Sequence, residues 1–217
     1  MRFIEFDNPH RRKHFAFFQA MEMPHFNLVA PIPVRTLTSF IRDQQMHFSG
    51  TIVYLISRVA NEIPEFRWRI RGDQVVEHAT VHPSFTVNTE GTDVFSFCYV
   101  DYVAEYSAFI EALKDAQSRM RGSPSLEDIP DRDDYLFMSS IPWVHFTGFA
   151  HSMHIPVRDS APRFTWGKIK ESGDEMLMPL GVQAHHGVVD GRHMGIFFDK
   201  FAEYCAIPER IMVMGDR

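Results

Sequence analysis

The spacing of apolar residues along the chain predicts a succession of helices and short strands. Apolar residues recur every three or four positions in the segments that predict helices: 8–18, 36–45, 50–63, 105–121 and the residues after Asp190. Alternating or short apolar runs predict strands at 2–7, 26–34, 66–71, 74–78, 85–88, 94–100, 135–141, 163–170 and 175–185. Pro31 and Pro33 favour a sheet edge for the second strand, because proline cannot donate a ladder hydrogen bond.

These elements predict an α+β fold, in which a mixed β-sheet is flanked by helices as a two-layer sandwich. We expect the strands between 66 and 100 to pair antiparallel, with a tight turn at Gly72 and Asp73. Segment 122–134 is acidic and has no apolar period, so it is a loop and not a domain boundary. Because no repeat is visible in the 217 residues, we expect one domain over 1–217.

Charge and cysteine content exclude several classes of partner. The chain has 22 basic and 28 acidic residues and a net charge of -6, so we expect no nucleic-acid partner. No apolar run approaches the roughly 20 residues of a membrane-spanning helix, so we expect no membrane partner. Cys98 and Cys205 are too few and too far apart for a disulfide framework, which favours a reduced, cytoplasmic protein.

The candidate chemistry lies where the apolar run 175–185 ends. His185 and His186 are followed by a short turn and by Asp190, which opens a helix. A histidine in this position can act as a general base, and an aspartate four residues later can fix the turn. The spacing alone is a weak signal in a chain with 12 histidines. A zinc site from His185, His186 and His193 would need ligands on one face and has no partner cysteine, so we predict no metal.

Segment 179–205, PLGVQAHHGVVDGRHMGIFFDKFAEYC, resembles the signature of the chloramphenicol acetyltransferases, a strand ending in QVHHAVCDG followed by a helix. Further segments agree in the same order along the chain: NPHRRKHFAFF, YLISRVAN, FRWRI, VHPSFTV, IPWVHFTGF and APRFTWGK. Dihydrolipoamide acyltransferase cores and peptide-synthetase condensation domains share the HHxxxDG motif but not these other segments. The resemblance therefore covers nearly the whole chain.

The resemblance implies a CoA-dependent acyltransferase domain that moves an acetyl group from acetyl-CoA to a small hydroxylated acceptor. It places the family's general base at His186 and its bracing ion pair at Asp190 and Arg11. His185 is then structural, since adjacent side chains on a strand point to opposite faces. The resemblance also implies a homotrimer with active sites at the subunit interfaces.

One departure from the family pattern concerns the oxyanion. The family has a serine, whose hydroxyl stabilises the tetrahedral intermediate, where this chain has Gly148. Losing one such donor typically costs roughly 2.7–4 kcal/mol. Thr147, Thr165 or an ordered water are the candidates to replace it, and Thr165 matches a family threonine that orders a water near the reacting centre.

The resemblance also assigns the two substrate pockets. Phe17, Phe18 and Phe26 match aromatic positions that line the acceptor pocket, with Phe18 in place of a tyrosine. Tyr54 matches a position near the CoA end of the reaction centre. Two hypotheses follow: an active O-acetyltransferase acting on chloramphenicol or a related acceptor, or a catalytically weak or silent trimer that binds a small molecule because the serine is absent.

Overall fold

The computed structural model describes residues 1–89, 91, 93–127, 129–155 and 159–212. Its helices are α1 Pro9–Gln19, α2 Arg35–Asp43, α3 Phe48–Glu62, α4 Tyr106–Gly122 and α5 Gly191–Ala206. Its strands are β1 Arg2–Ile4, β2 His25–Pro33, β3 Trp68–Arg71, β4 Gln74–Glu77, β5 His82–Asn88, β6 Phe95–Tyr99, β7 Tyr135–Ile141, β8 Arg163–Gly167, β9 Lys170–Ser172 and β10 Glu175–His185. The predicted α+β class and mixed sheet are confirmed.

The main sheet runs in the order β2-β10-β8-β7-β5-β6, and β9 pairs with the first part of β10. Strand β10 is antiparallel to β2, β8 and β9, whereas β7 is parallel to both β5 and β8. Strand β2 lies at an edge, as its two prolines predicted. A separate three-stranded sheet has the order β1-β4-β3.

Helix α3 is the centre of the helical layer. Almost all of its residues from Gly50 to Ala60 are buried, and it packs against α4, α5 and β5. Phe197 of α5 is fully buried and packs on Phe164 of β8, with ring centroids 5.1 Å apart. A helix buried on nearly all sides is held by packing more than by its own propensity. No helix among the described residues is long and apolar enough to cross a membrane.

Strand β10 carries the candidate site at its end. Its residues from Met178 to His185 are buried, because β2 and β8 pair with it on either side and both faces of the sheet are covered. Helix α1 begins at Pro9, with the Asn8 side chain accepting the His10 N–H as an N-cap. Because β10 is paired on both sides, its end holds the following residues in a fixed position.

Three sequence predictions need correction. The strand expected from residue 66 begins at Trp68, because Pro64–Arg67 forms a 3-10 turn. The strands between 66 and 100 pair antiparallel, but they are divided between the two sheets. The single strand expected over 163–170 ends at Gly167, where a side chain would collide with the Val144 carbonyl at 2.7 Å. This close approach of the preceding loop separates β8 from β9.

Candidate active site

His186 directly follows β10, and its backbone is still held by the neighbouring strand. Its N–H donates to the Pro24 carbonyl at 2.9 Å, which extends the β10 and β2 pairing by one residue. The chain then turns sharply, because the Val189 N–H donates back to the His185 carbonyl at 3.0 Å. A side chain at Gly187 would lie 3.0 Å from the His185 ring, so glycine allows this close approach.

The imidazole of His186 packs against two aromatic rings. Phe18 stacks on it with centroids 4.0 Å apart and planes inclined by 8°, and Phe26 lies against it at 4.3 Å. These contacts fix the plane of the ring. Its Nδ1 is buried without a hydrogen-bond partner, while the side chain keeps 26% of its accessible surface. The nitrogen open to a reacting group is therefore Nε2.

Asp190 uses its two carboxylate oxygens differently. Oδ1 accepts the Arg192 N–H at 3.2 Å and so caps the N-terminus of α5. Oδ2 lies 4.0 Å from His186 Nδ1 and 3.7 Å from His14 Nε2. Partial burial favours a higher pKa for the Asp190 carboxyl, but the Arg192 N–H and the imidazoles of His186, His14 and His193 outweigh it, and the pKa is lowered. A carboxylate therefore faces the buried side of the candidate base.

The structure corrects the predicted direct pairing of Arg11 with Asp190. The Arg11 guanidinium donates to the Val188 carbonyl at 2.8 Å and contacts His14 Nδ1 at 2.7 Å. None of the ion pairs within 4.0 Å among the described residues joins Arg11 to Asp190, and His14 makes that contact instead. The physical reason is helical spacing: His14 lies one turn after Arg11, so both side chains share the face of α1 that meets the turn. Burial lowers the pKa of Arg11, with the charge of Asp190 opposing it.

His14, His186 and Asp190 also have the spacing of metal ligands. One ligand atom from each lies within 4.8 Å of the others, the only such group of three among the described residues. Two imidazoles and a carboxylate suit zinc and other transition metals. The set considered from the sequence, His185, His186 and His193, does not form such a group among the described residues.

Thr165 lies on β8 and is hydrogen-bonded to a histidine that the sequence did not single out. Its Oγ1 is 2.8 Å from His151 Nε2, and the His151 N–H donates to Gln183 Oε1 at 2.9 Å. Burial lowers the pKa of His151 to about 4, so the ring is neutral at pH 7. The hydroxyl proposed to position water is thus itself positioned by a neutral imidazole.

Thr147 and Gly148 lie in the segment between β7 and β8, and both are exposed. A side chain added at Gly148 would meet no heavy atom within 4 Å. This position therefore faces open space in the single chain, and it has room for the serine found in the family.

The base and Thr165 lie far apart within one chain. Thr165 pairs with Gly181 in the ladder between β8 and β10, whereas His186 lies five residues further along. At about 3.4 Å per residue, five strand residues span about 17 Å. A single chain therefore does not bring its own His186 to its own Thr165.

The predicted pocket residues are not all at the site. Phe18 and Phe26 contact the His186 ring, while Phe17 packs edge-on against Phe18 and is 62% exposed. Tyr54 is a correction: its side chain is fully buried in the helical layer, and its hydroxyl donates to the Ala104 carbonyl at 2.7 Å. A side chain with no accessible surface cannot contact CoA, so the predicted role of Tyr54 does not hold.

A cavity of about 270 Å³ lies between the start of α3, the end of α4 and the sheet. Arg121 is its cationic lining residue, whereas burial lowers the pKa of His47, and Trp166, the neighbour of Thr165 on β8, lines its wall. His47 Nδ1 accepts the Gly50 N–H and caps α3. The positive end of a helix and an arginine favour an anionic group at this mouth.

Two histidines lie behind the site, of which His185 is buried and His25 is half-buried. His25 faces His185 across the ladder, with the rings edge-on and 5.2 Å apart, and both His25 ring nitrogens are buried without a partner. Burial, followed by the neighbouring His185, lowers the pKa of His25 to about 3. Burial likewise lowers the pKa of His185 to about 4. Both rings are therefore neutral in the folded protein at neutral pH.

We expect the free energy of unfolding to fall as the pH is lowered from about 6.5 towards 4. In this range the unfolded chain protonates these histidines and the folded chain does not, so their stabilisation is present above about 6.5 and is lost in acid. Urea unfolding across this range measures the slope, and His25→Phe should make it shallower by up to about 1.4 kcal/mol per pH unit. An unchanged slope in this variant would contradict the assignment.

Sequence reasoning missed the roles that three residues have at the site. His14 had a usable signal, since it lies three positions after Arg11 on the same predicted helix. His193 also had one: its Nδ1 accepts the Asp190 N–H at 3.0 Å, which completes a capping box in an Asp-x-x-His spacing. His151 had none, because its contact with Thr165 depends on the path of a loop.

Comparison with known proteins identifies a family for the chain. The family described as "Chloramphenicol acetyltransferase" matches residues 1–202. Chloramphenicol acetyltransferase 3 of Escherichia coli is 30% identical over 210 residues, covering 94% of this chain and 98% of the relative. A chloramphenicol acetyltransferase of Klebsiella sp is 29% identical, covering 93% and 92%. A solved chloramphenicol acetyltransferase superposes with a TM-score of 0.80 at 21% identity, covering 94% of this chain and 99% of its own.

Proposed function

The chain belongs to the chloramphenicol acetyltransferase family, a family of acyltransferase enzymes, and from this membership we propose that it acetylates a hydroxyl of chloramphenicol or a related small acceptor. Acetyl-CoA is the proposed acetyl donor. The single observation that carries the proposal is the environment of His186, whose ring is fixed by Phe18 and Phe26 with Nε2 accessible and Nδ1 facing a carboxylate.

In the proposed reaction, His186 Nε2 removes the proton of the acceptor hydroxyl as its oxygen attacks the thioester carbonyl carbon. The resulting tetrahedral intermediate collapses, the carbon–sulfur bond breaks, and the imidazolium returns the proton to the CoA thiolate. For Nε2 to accept a proton, the neutral ring must carry its own on Nδ1, the atom nearest Asp190 Oδ2. The carboxylate then stabilises the imidazolium that forms.

The complete site is proposed to lie between copies of the chain. Because His186 and Thr165 are separated along β10, a base from one subunit facing Thr165 and Gly148 of its neighbour would join the two halves. A homotrimer with three such interfaces satisfies this requirement with closed symmetry. The exposure of Phe17, Gly148 and Trp143 leaves apolar and open surface for the interface.

Acetyl-CoA is proposed to enter through the cavity lined by His47 and Arg121. Its phosphates would meet Arg121 and the N-terminus of α3, and its thioester arm would extend towards Trp166. Cys98 and Cys205 are both buried and free, which is in keeping with a reducing compartment, and we propose the cytoplasm. No step of this reaction requires a metal.

A coupled assay tests the proposed function. The purified protein is incubated with acetyl-CoA, a thiol-detecting dye and each member of a panel of hydroxylated antibiotics that includes chloramphenicol. We expect CoA release that depends on an acceptor and follows its concentration. CoA release at the same rate without any acceptor, or none with any of them, would contradict the proposal.

Mixed oligomers test whether the site is shared. We expect His186→Ala to lack the base and Gly148→Arg to block the facing half, so each is inactive alone. In trimers assembled from equal amounts of both chains, about a quarter of the interfaces would pair an intact base with an intact partner surface. Co-expression with two affinity tags isolates the mixed species. If the mixed species are as inactive as the parents, the interface proposal is wrong.

Two substitutions separate the roles of Asp190. Asparagine remains a good N-cap but has no charge, so Asp190→Asn should keep the melting temperature while kcat falls on the order of tenfold, about 1.4 kcal/mol. Asp190→Ala also loses the cap and should destabilise the protein by about 1 kcal/mol. Thermal unfolding and steady-state kinetics on both variants measure these effects. Equal kcat for Asp190→Asn and the unmodified protein would show that the charge is not used.

A second candidate function rests on Gly148. Without the serine hydroxyl, the same trimer would bind a small hydroxylated molecule and turn it over slowly or not at all. The position of His186 favours the enzyme, because a binding protein does not require an accessible imidazole nitrogen backed by a carboxylate. Equilibrium binding of chloramphenicol without CoA release would favour this second function.

A further inference from the structure

We propose that His14 is a positioning residue: Arg11 holds it as the neutral Nε2–H tautomer, and the dipole of this N–H, 3.7 Å from Asp190 Oδ2 and so beyond hydrogen-bond distance, attracts the carboxylate and keeps it beside the base. The proposal rests on the proposed function for its catalytic consequence, but the tautomer itself is tested without any substrate. In this arrangement Arg11 does not pair with Asp190 directly. It contacts the uncharged His14 ring, and His14 contacts Asp190.

The tautomer follows from the contact with Arg11. A guanidinium carries only donors, so the 2.7 Å contact between Arg11 Nη1 and His14 Nδ1 requires a lone pair on Nδ1. A neutral imidazole with a lone pair on Nδ1 has its hydrogen on Nε2. Arg11 also donates to the Val188 carbonyl at 2.8 Å, which holds the guanidinium against the turn. The donor that faces His14 Nδ1 is therefore fixed in place.

The His14 ring is also held by its neighbours. It packs against Phe18 at 4.8 Å and edge-on against His186 at 5.5 Å. Its Nε2 consequently lies 3.7 Å from Asp190 Oδ2. Burial lowers the pKa of His14, and the charges of Arg11 and His186 add to this effect, while Asp190 opposes it. A fourth group that acts through its charge, His10, also lowers the pKa of His14.

A neutral donor has a functional advantage over a direct arginine contact. An arginine paired with Asp190 would cancel the carboxylate charge that the imidazolium of His186 needs. An uncharged N–H orients the carboxylate and leaves its charge largely available to His186, whose Nδ1 is 4.0 Å away. The same proton removes the Nε2 lone pair, so His14, His186 and Asp190 cannot act together as metal ligands despite lying within 4.8 Å of one another.

Zn²⁺ binding tests the tautomer without catalysis. Arg11→Met removes the donor facing Nδ1, so the His14 proton can move to Nδ1 and Nε2 can bind metal. We expect Arg11→Met to bind Zn²⁺ at least about tenfold more tightly than the unmodified protein in calorimetric titration. The double variant Arg11→Met/His14→Gln should lose this gain, which separates the site from other histidines. Equal affinity in the unmodified protein and Arg11→Met, or tight binding retained by the double variant, would overturn the proposal.

Two substitutions of His14 test the positioning role in catalysis. A glutamine amide reaches the place of Nε2–H and can donate to Asp190, whereas phenylalanine preserves only the ring contacts. We expect His14→Gln to keep kcat within about threefold and His14→Phe to lose about tenfold, with KM for acetyl-CoA unchanged in both. A packing role for His14 predicts the reverse order, and that order would overturn the proposal. If the unmodified protein shows no acetyl transfer, the proposed function fails while the Zn²⁺ result still decides the tautomer.

Discussion

Replacement of His186 with alanine is expected to lower kcat by about a hundred- to ten-thousandfold, the usual contribution of a positioned general base. The acceptor hydroxyl would then have to lose its proton to water as it attacks. His185 cannot replace the lost base, because it is buried and its Nδ1 accepts the Gly187 N–H. Binding of acetyl-CoA does not use His186 in this account, so KM for acetyl-CoA should change little. Steady-state kinetics with both substrates varied measure the two effects separately.

The matched control for this variant is His154→Ala, which removes another imidazole at an exposed position. We expect it to keep full activity. Thermal unfolding of both variants should show that neither loses its fold, because His186 contributes packing against Phe18 and Phe26 but is itself partly exposed. A His186→Ala protein that is folded and retains most of its kcat would remove His186 from the role of base.

Restoration of the missing hydroxyl through Gly148→Ser is expected to raise kcat by about a hundred- to a thousandfold, the usual effect of one oxyanion-hole donor. The substitution adds no strain in the chain, since a side chain at this position meets no heavy atom within 4 Å. The hydroxyl would donate to the oxygen that becomes negative in the tetrahedral intermediate. The gain should therefore appear in kcat more than in KM, because the ground-state carbonyl carries less charge.

Gly148→Ala is the control, because it adds the same carbon without the hydroxyl, and it should leave kcat unchanged. Parallel kinetics of the three proteins under identical conditions compare them. If serine and alanine behave alike, Gly148 does not face the oxyanion, or Thr165 and His151 already supply the donor that the serine supplies in the family. A rate below that of the unmodified protein would likewise count against the oxyanion assignment.

The parts of the fold that the sequence predicted are those specified by local pattern. The apolar pattern of 175–185 predicted β10, and the two prolines of β2 predicted that β2 lies at the sheet edge. The helix after Asp190 followed from a good N-cap residue ahead of a 3.6-residue period. Family resemblance then assigned His186 and Asp190, and the structure brings these two side chains within 4.0 Å.

The parts that the sequence did not predict depend on contacts between distant segments. Arg11 and Val188 are 177 positions apart, and only the packing of α1 against the turn after β10 shows that His14 stands between Arg11 and Asp190. Tyr54 matched a family position, but the burial of α3 on nearly all sides removes it from any ligand. The period of apolar residues along a helix shows that one face is buried, but it does not show whether other elements also cover the remaining faces.

The most direct test of the central claim follows the acetyl group itself. The unmodified protein and His186→Ala are each incubated with acetyl-CoA bearing a deuterated acetyl group and with chloramphenicol, and the acceptor is analysed by mass spectrometry. We expect the unmodified protein to form an acceptor ester that carries the intact deuterated acetyl group. We expect the variant to form at least about a hundredfold less of this labelled ester. The same amount of labelled ester from both proteins would contradict the claim that His186 is the base.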